Sequence, residues 1–279
     1  MSTSTTLLAF QSTGPDSAPT IVFLHGGGAG GWMWEPVIQL LPDYHCLAPD
    51  QPETGGSREI KPFSMGLAAQ KTAELIRAHA HGGKAIVVGL SEGAQVAVQL
   101  LATAPEVVEK AIITSALLRP IPGLGWINSP ALIGWMYRIS IPPFRNADWW
   151  IKLNMKYAAG IPNDYFPQFK NTFQTITESE FVNMLIANET YRLPAGLERA
   201  TAATLALAGV KEYPVMKQSV RDLVSALPNA RGGWINLAGT STLASQHNWA
   251  LIAPDLFAAT VRAWIENTLL PSVIVDVKG

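Results

Sequence analysis

Short apolar runs alternate along this chain with longer stretches of helical period. The runs TTLLAF, TIVFLH, HCLAPD, KAIVVGL, KAIITSA, ATLALAG and GGWINLAG are mostly continuous rather than alternating, as in strands buried on both faces. Between them, MGLAAQKTAELIRAHA repeats Leu67, Ala68, Leu75 and Ile76 at helical spacing behind Ser64, a predicted N-cap. PDLFAATVRAWIENTLL places Phe257, Val261, Trp264 and Ile265 on one face, and Pro254 suits its first turn. Strands separated by helices predict an α/β fold, a mostly parallel, doubly wound sheet flanked by helices.

One segment breaks the alternation. Residues 118–197 carry no strand pattern, yet they hold 13 of the 24 aromatic residues. A structureless connection of that length is rare in a compact domain, so the segment predicts an inserted helical cap. The expected division is a core domain of 1–117 and 198–279 with a cap subdomain of 118–197.

Composition narrows the setting. A chain of 279 residues is long enough to bury roughly three-quarters of its unfolded surface. Charged residues are 15%, against about 25% in a typical soluble domain, so apolar surface is either exposed or lines a pocket. A net charge of −1 gives no field to attract nucleic acid or an anionic membrane, and nucleic acid is not an expected partner. Cys46 is the only cysteine, which rules out an internal disulfide and a cysteine metal cluster. MSTSTTLLAF does not resemble a secretory signal, and no window reaches the near-20 apolar residues of a membrane span. A soluble, cytoplasmic protein is expected. Oligomeric state is not legible.

The chemistry begins at FLHGGGAGGW, which supports two readings. Gly26, Gly28 and Gly31 match G-x-G-x-x-G, and Asp50 closes the next strand as a candidate ribose partner, the pattern of a dinucleotide site. The same bare amides could instead face the oxyanion of an acyl-transfer intermediate. GLSEG, residues 89–93, is a G-x-S-x-G between the strand KAIVVGL and the helix EGAQVAVQLLA. That setting projects a serine hydroxyl above the sheet, and it favours a nucleophile over small residues that merely allow close packing.

With these motifs in place the chain resembles the α/β-hydrolase family over nearly its whole length. LHGGGAGGWMW looks like the family's His-Gly oxyanion loop after the third strand, with His25 and Gly26 in it. APDQPETGGS is similar to the D-x-P-G-H-G-x-S turn, GLSEG to the nucleophile elbow, and QHNWALIAP to the catalytic-histidine loop. The resemblance implies an eight-stranded sheet, a cap inserted after the sixth strand, Ser91 as nucleophile and His247 as base. It also implies Gly27 and Glu92 as backbone donors of the oxyanion hole. The family's acid usually follows the seventh strand as an aspartate, and here Glu212 stands three residues past Gly209. The order Ser91, Glu212, His247 is the one this fold requires. The Glu92 side chain is expected to point away from the oxyanion, because a buried charge there would oppose catalysis.

Four positions depart from the family pattern: Glu53 and Thr54 replace Gly-His, Gln246 replaces a glycine, and Glu212 replaces aspartate. The oxyanion reading accounts for the glycines, GLSEG and His247 together, whereas the dinucleotide reading leaves the latter two unexplained. No cofactor or metal is expected, since H-E-x-x-H is absent. With no cationic cluster to receive an acid, the expected substrate is a small, neutral, hydrophobic ester or lactone. Cap aromatics, Trp135 and Trp150 among them, are its expected contacts. Carbon–carbon bond hydrolysis and perhydrolysis on the same triad are alternatives. A ligand receptor on a hydrolase fold with slow turnover is another.

Overall fold

A computed structural model describes residues 6–123, 125–237 and 246–277. The first residue of TTLLAF and the last two of GGWINLAG lie outside the described residues. The strands are β1 (Phe10–Thr13), β2 (Thr20–Leu24), β3 (His45–Pro49), β4 (Ala85–Leu90), β5 (Val108–Thr114), β6 (Ala203–Gly209), β7 (Ala230–Ile235) and β8 (Ile274–Asp276). They form one eight-stranded sheet in the order β1-β3-β2-β4-β5-β6-β7-β8. β1 pairs antiparallel with β3 and β8 antiparallel with β7, and the pairs between are parallel.

The sheet has the expected eight strands, but its two end strands do not coincide with the runs read from the sequence. TTLLAF does not form a strand along its length; the first strand starts at its last residue, Phe10, and runs on through polar Gln11, Ser12 and Thr13. It lies at a sheet edge and is largely exposed, so no apolar run marks it. The glycine loop therefore leaves the second strand, not the third. The eighth strand is the short IVD at the far edge, which carries too little pattern to be read.

The inner strands are buried on both faces, and alternate residues feed two cores. Val22, Leu24, Val87 and Ile113 face helices α2 (Met65–His79) and α3 (Glu92–Thr103). Ile21, Phe23, Val88 and Ile112 lie in the other core with Trp34, Trp249 and Phe257. Both tryptophans are fully buried, and the Trp249 and Phe257 rings meet at 4.5 Å. Ser64 caps α2 by accepting from the Leu67 amide at 3.1 Å. The last helix, Pro254–Glu266, starts on its proline and stops where Asn267 takes a left-handed conformation.

Between β5 and β6 the chain forms α4 (Pro130–Ser140), α5 (Asp148–Asn154), α6 (Phe166–Thr175) and α7 (Glu178–Thr190). α7 begins with a reciprocal cap between Thr177 and Glu180. The segment is tied to the rest of the chain by Gln95, which donates to the Asn188 carbonyl at 2.9 Å, and by Asn183, which donates to Glu53 at 3.0 Å. No helix among the described residues is long and apolar enough to cross a membrane.

Candidate active site

Strand order places the site. β3 lies on one side of β2 and β4 on the other, so the loops leaving β2 and β4 diverge and open a crevice at their carboxyl ends. The glycine loop leaves β2, and Ser91 leaves β4.

Ser91 links β4 to α3 with φ 58 and ψ −117, a conformation few non-glycine residues adopt. The turn is enforced by packing. A Cβ on Gly93 would lie 2.1 Å from the Leu24 carbonyl oxygen, and one on Gly89 would lie 2.4 Å from that of Gly93. Only glycines let α3 come so close to β2. As the first residue of α3, Glu92 has a backbone N–H with no intrahelical acceptor.

His247 and Ser91 line one cavity of about 170 Å³, together with Gly26, Gly27 and Asn188. His247 Nδ1 lies 2.5 Å from Glu212 Oε1. The other carboxylate oxygen, Oε2, accepts from the Gly209 amide at 2.7 Å and from the Ser115 hydroxyl at 3.1 Å. Glu212 is thus buried with both oxygens engaged. Gln246, also buried, accepts the Lys211 amide through Oε1 at 2.8 Å, so it joins the loop carrying the acid to the loop carrying the imidazole.

Ser115 and Gln246 were not legible as site residues. TSALL offers no carboxylate after β5, but its serine, itself at φ 60, reaches across to Glu212. A serine next to a buried strand carries no motif, and only the adjacency of β5 and β6 reveals it.

His25 is buried and holds the glycine loop in place instead of facing the cavity. Its Nε2 accepts from the Gln51 amide at 3.0 Å, so the proton sits on Nδ1, which donates to the Gly26 carbonyl at 2.9 Å. Burial keeps its pKa below the ordinary value and the ring neutral. Asp50 spends one oxygen on the Gly31 amide and the other on the Gly56 amide, each at 2.9 Å. A single 3-10 turn, Gly31–Trp34, begins at the last glycine and leads into α1 (Glu35–Ile38), which has only four residues. With Asp50 engaged by these amides and only a short turn and a four-residue helix following, the glycines offer neither an acidic ribose partner nor the long helix of a dinucleotide site.

Two expectations need correction. The Glu92 side chain does not turn away from the glycine loop. It is buried against it, and a Cβ on Gly27 would lie 3.2 Å from Glu92 Oε2. It avoids placing a charge there because burial pushes its carboxyl up to about 8, so it is largely neutral at pH 7. The tryptophans are not brought to the cavity either. Trp135 is 54% exposed, and Trp150 packs on Phe144 at 4.9 Å and donates to the Ser140 carbonyl.

Two further spaces adjoin the Ser91 cavity. An apolar one of about 290 Å³ runs over Gly27 and Gly28 and is walled by Phe169, Phe173, Phe181 and Leu185. A wider one of about 680 Å³ opens on the side of His247, toward Tyr157, Tyr213 and Met216. Among the described residues no cluster of three or more His, Cys, Asp or Glu is arranged to hold a metal ion.

Known proteins resemble this chain in sequence and in fold. A protein of the AB hydrolase superfamily from Gibberella zeae is 38% identical over 111 residues, 39% of each chain. An esterase from Mycobacterium tuberculosis is 38% identical over 99 residues, 35% of this chain and 33% of that one. The chain thus matches 39% and 33% of the length of these two relatives. Among solved structures, an enol-lactonase from Burkholderia xenovorans LB400 superposes with a TM-score of 0.70 over 93% of this chain and 96% of its own. At 18% identity that likeness is one of fold. The model of the alpha/beta hydrolase family matches residues 21–269, and the chain belongs to that family.

Proposed function

We propose that this protein is a serine hydrolase that cleaves neutral, hydrophobic carboxylic esters or lactones through an acyl-enzyme, with Ser91, His247 and Glu212 as its triad. The observation that carries the reading is the 2.5 Å contact of His247 Nδ1 with Glu212 Oε1 on an imidazole that shares a cavity with Ser91. Glu212 holds the proton on Nδ1 and leaves Nε2 as the base. Ser91 Oγ attacks the acyl carbon as its proton passes to Nε2. The carbonyl oxygen becomes an oxyanion held by the amides of Gly27 and Glu92. When the bond to the alkoxy oxygen breaks, Nε2 returns the proton to the leaving alcohol. A water then repeats the sequence on the acyl-enzyme, freeing the acid and Ser91.

In this reading residues 118–197 act as a cap subdomain over a core of 1–117 and 198–279. The aromatic and aliphatic walls of the space over Gly27 and Gly28 support a neutral, apolar acyl group. The esterase and the enol-lactonase among the similar proteins act in the same class. A reducing, cytoplasmic setting suits Cys46, whose thiol burial pushes up to about 12. The test is steady-state turnover of p-nitrophenyl esters of increasing acyl length. The wild-type protein is expected to turn over many equivalents, and Ser91→Ala none. A single turnover per protein would favour a receptor over an enzyme.

A further inference from the structure

Beyond the apolar space lies a polar chamber that the hydrolytic reading does not use. It has a volume of about 220 Å³ and shares Gly28, Thr172, Ile176 and Met184 with the apolar space. Its polar wall comes from Glu53, Arg58, Glu92 and Glu180.

Most of that wall is already satisfied. Arg58 Nη2 donates to Glu180 at 3.1 Å and to the Thr175 carbonyl at 3.0 Å. Glu180 also accepts the Thr177 amide at 2.7 Å. Both oxygens of Glu53 accept from Asn183, at 3.0 and 3.1 Å. Glu53 is held at φ 63, a costly conformation for a long side chain, and it is nonetheless buried. Arg58 Nε makes no hydrogen bond of its own but lies 2.7 Å from Glu180 Oε1 in an ion pair. Glu92 stands apart from the other two carboxylates. The Asn188 side chain reaches its carboxyl, but Oε2 is buried and has no hydrogen-bond partner among the described residues. A buried polar atom left in that state costs ~1–3 kcal/mol, which a ligand hydroxyl would recover, because it can donate to Oε2 or accept the proton that a neutral carboxyl carries there.

The position of the chamber says which part of a substrate reaches it. The leaving alcohol must take its proton from His247, and the wide space lined by His247 suits that half. The acyl half then runs the other way, over Gly27 and Gly28, through the apolar space and into the polar chamber.

We propose that this chamber is an acyl-end subsite that takes a terminal hydroxyl group, so that the preferred acyl chain is an apolar stem ending in a neutral hydroxyl paired with the Glu92 carboxyl. The inference rests on the hydrolase reading for the direction of the acyl chain. A terminal carboxylate would face Glu53 and Glu180. A terminal ammonium would sit beside the Arg58 guanidinium and against a carboxyl that burial keeps protonated at neutral pH.

Ligand binding tests it without requiring turnover. Ser91→Ala protein is titrated calorimetrically with ethyl esters of four- to eight-carbon acids ending in methyl, hydroxyl, ammonium or carboxylate. At the best stem length the hydroxyl-ended ester is expected to bind ~3–10-fold tighter than the methyl-ended one, the range of one net hydrogen bond. That ratio should fall to one or below when Glu92→Leu is added. Thr172→Phe, which plugs the passage from a half-buried helical position, should do the same if the Glu92 variant does not fold. Methyl-ended esters binding as tightly at every stem length, ammonium or carboxylate binding tighter than hydroxyl, or a ratio untouched by both variants would overturn the subsite. Turnover of the same esters by the wild-type protein separates the two claims. Loss of all Ser91-dependent turnover removes the hydrolase reading, whereas turnover with no preference for hydroxyl removes only the subsite.

Discussion

Ser115 makes the clearest residue-scale prediction, because its hydroxyl touches nothing but the acid's far oxygen in this network. Ser115→Ala leaves Glu212 Oε2 with the Gly209 amide alone. The loss of about 1 kcal/mol of orientation should lower kcat about fivefold and leave KM unchanged. An unchanged kcat would show that the acid is positioned without it. Glu92 makes a prediction about pH. Its folded pKa is raised from the ordinary 4.5 to about 8, mainly by burial. Between those values the native protein holds a proton that the unfolded chain has released, so stability falls as pH rises through this window. The slope is about 1.4 kcal/mol per pH unit. Glu92→Gln removes the titration, so thermal melts from pH 5 to 8 should show the wild-type Tm dropping ~5 °C or more relative to the variant. Parallel curves would contradict the assignment.

At the scale of elements, the turn from β4 to α3 governs the geometry. The Gly93 contact with the Leu24 carbonyl sets how near α3 sits to β2, and hence where Ser91 stands against the glycine loop. Gly93→Ala has no flexible neighbour to displace and should cost about 3 kcal/mol or more, a fall in Tm of ~6–12 °C. Gly66→Ala in α2 is the control, since its added methyl meets nothing within 4 Å. It should stabilise by up to ~1 kcal/mol. Equal melts for the two variants would show that the close approach is not required. The same elements mark what could be read from the sequence. KAIVVGL, GLSEG and the following helix were legible because a buried strand, a crowded turn and an apolar helix each leave a local pattern. Edge strands β1 and β8 were not, since exposed strands need no apolar run.

At the scale of the whole molecule, the site is assembled from segments far apart in sequence, and this limits what any motif can reveal. Ser91 and His247 lie in recognisable stretches, whereas Ser115 reaches Glu212 only because β5 and β6 are neighbours. The burial of Glu92 likewise depends on Met184 of α7 folding over Gly27, a contact no local pattern encodes. The two tryptophans show the converse, for aromatic density located the segment but not which rings line its cavity. The central claim is the proposal that Ser91 is the nucleophile and His247 its base. Its most direct test is reaction with a fluorophosphonate followed by peptide mapping. One adduct is expected, on Ser91, with labelling slowed by at least a hundredfold in His247→Ala, in line with the ~10²–10⁴-fold typical of a general base. An adduct on another residue, or labelling at the same rate without the imidazole, would contradict it.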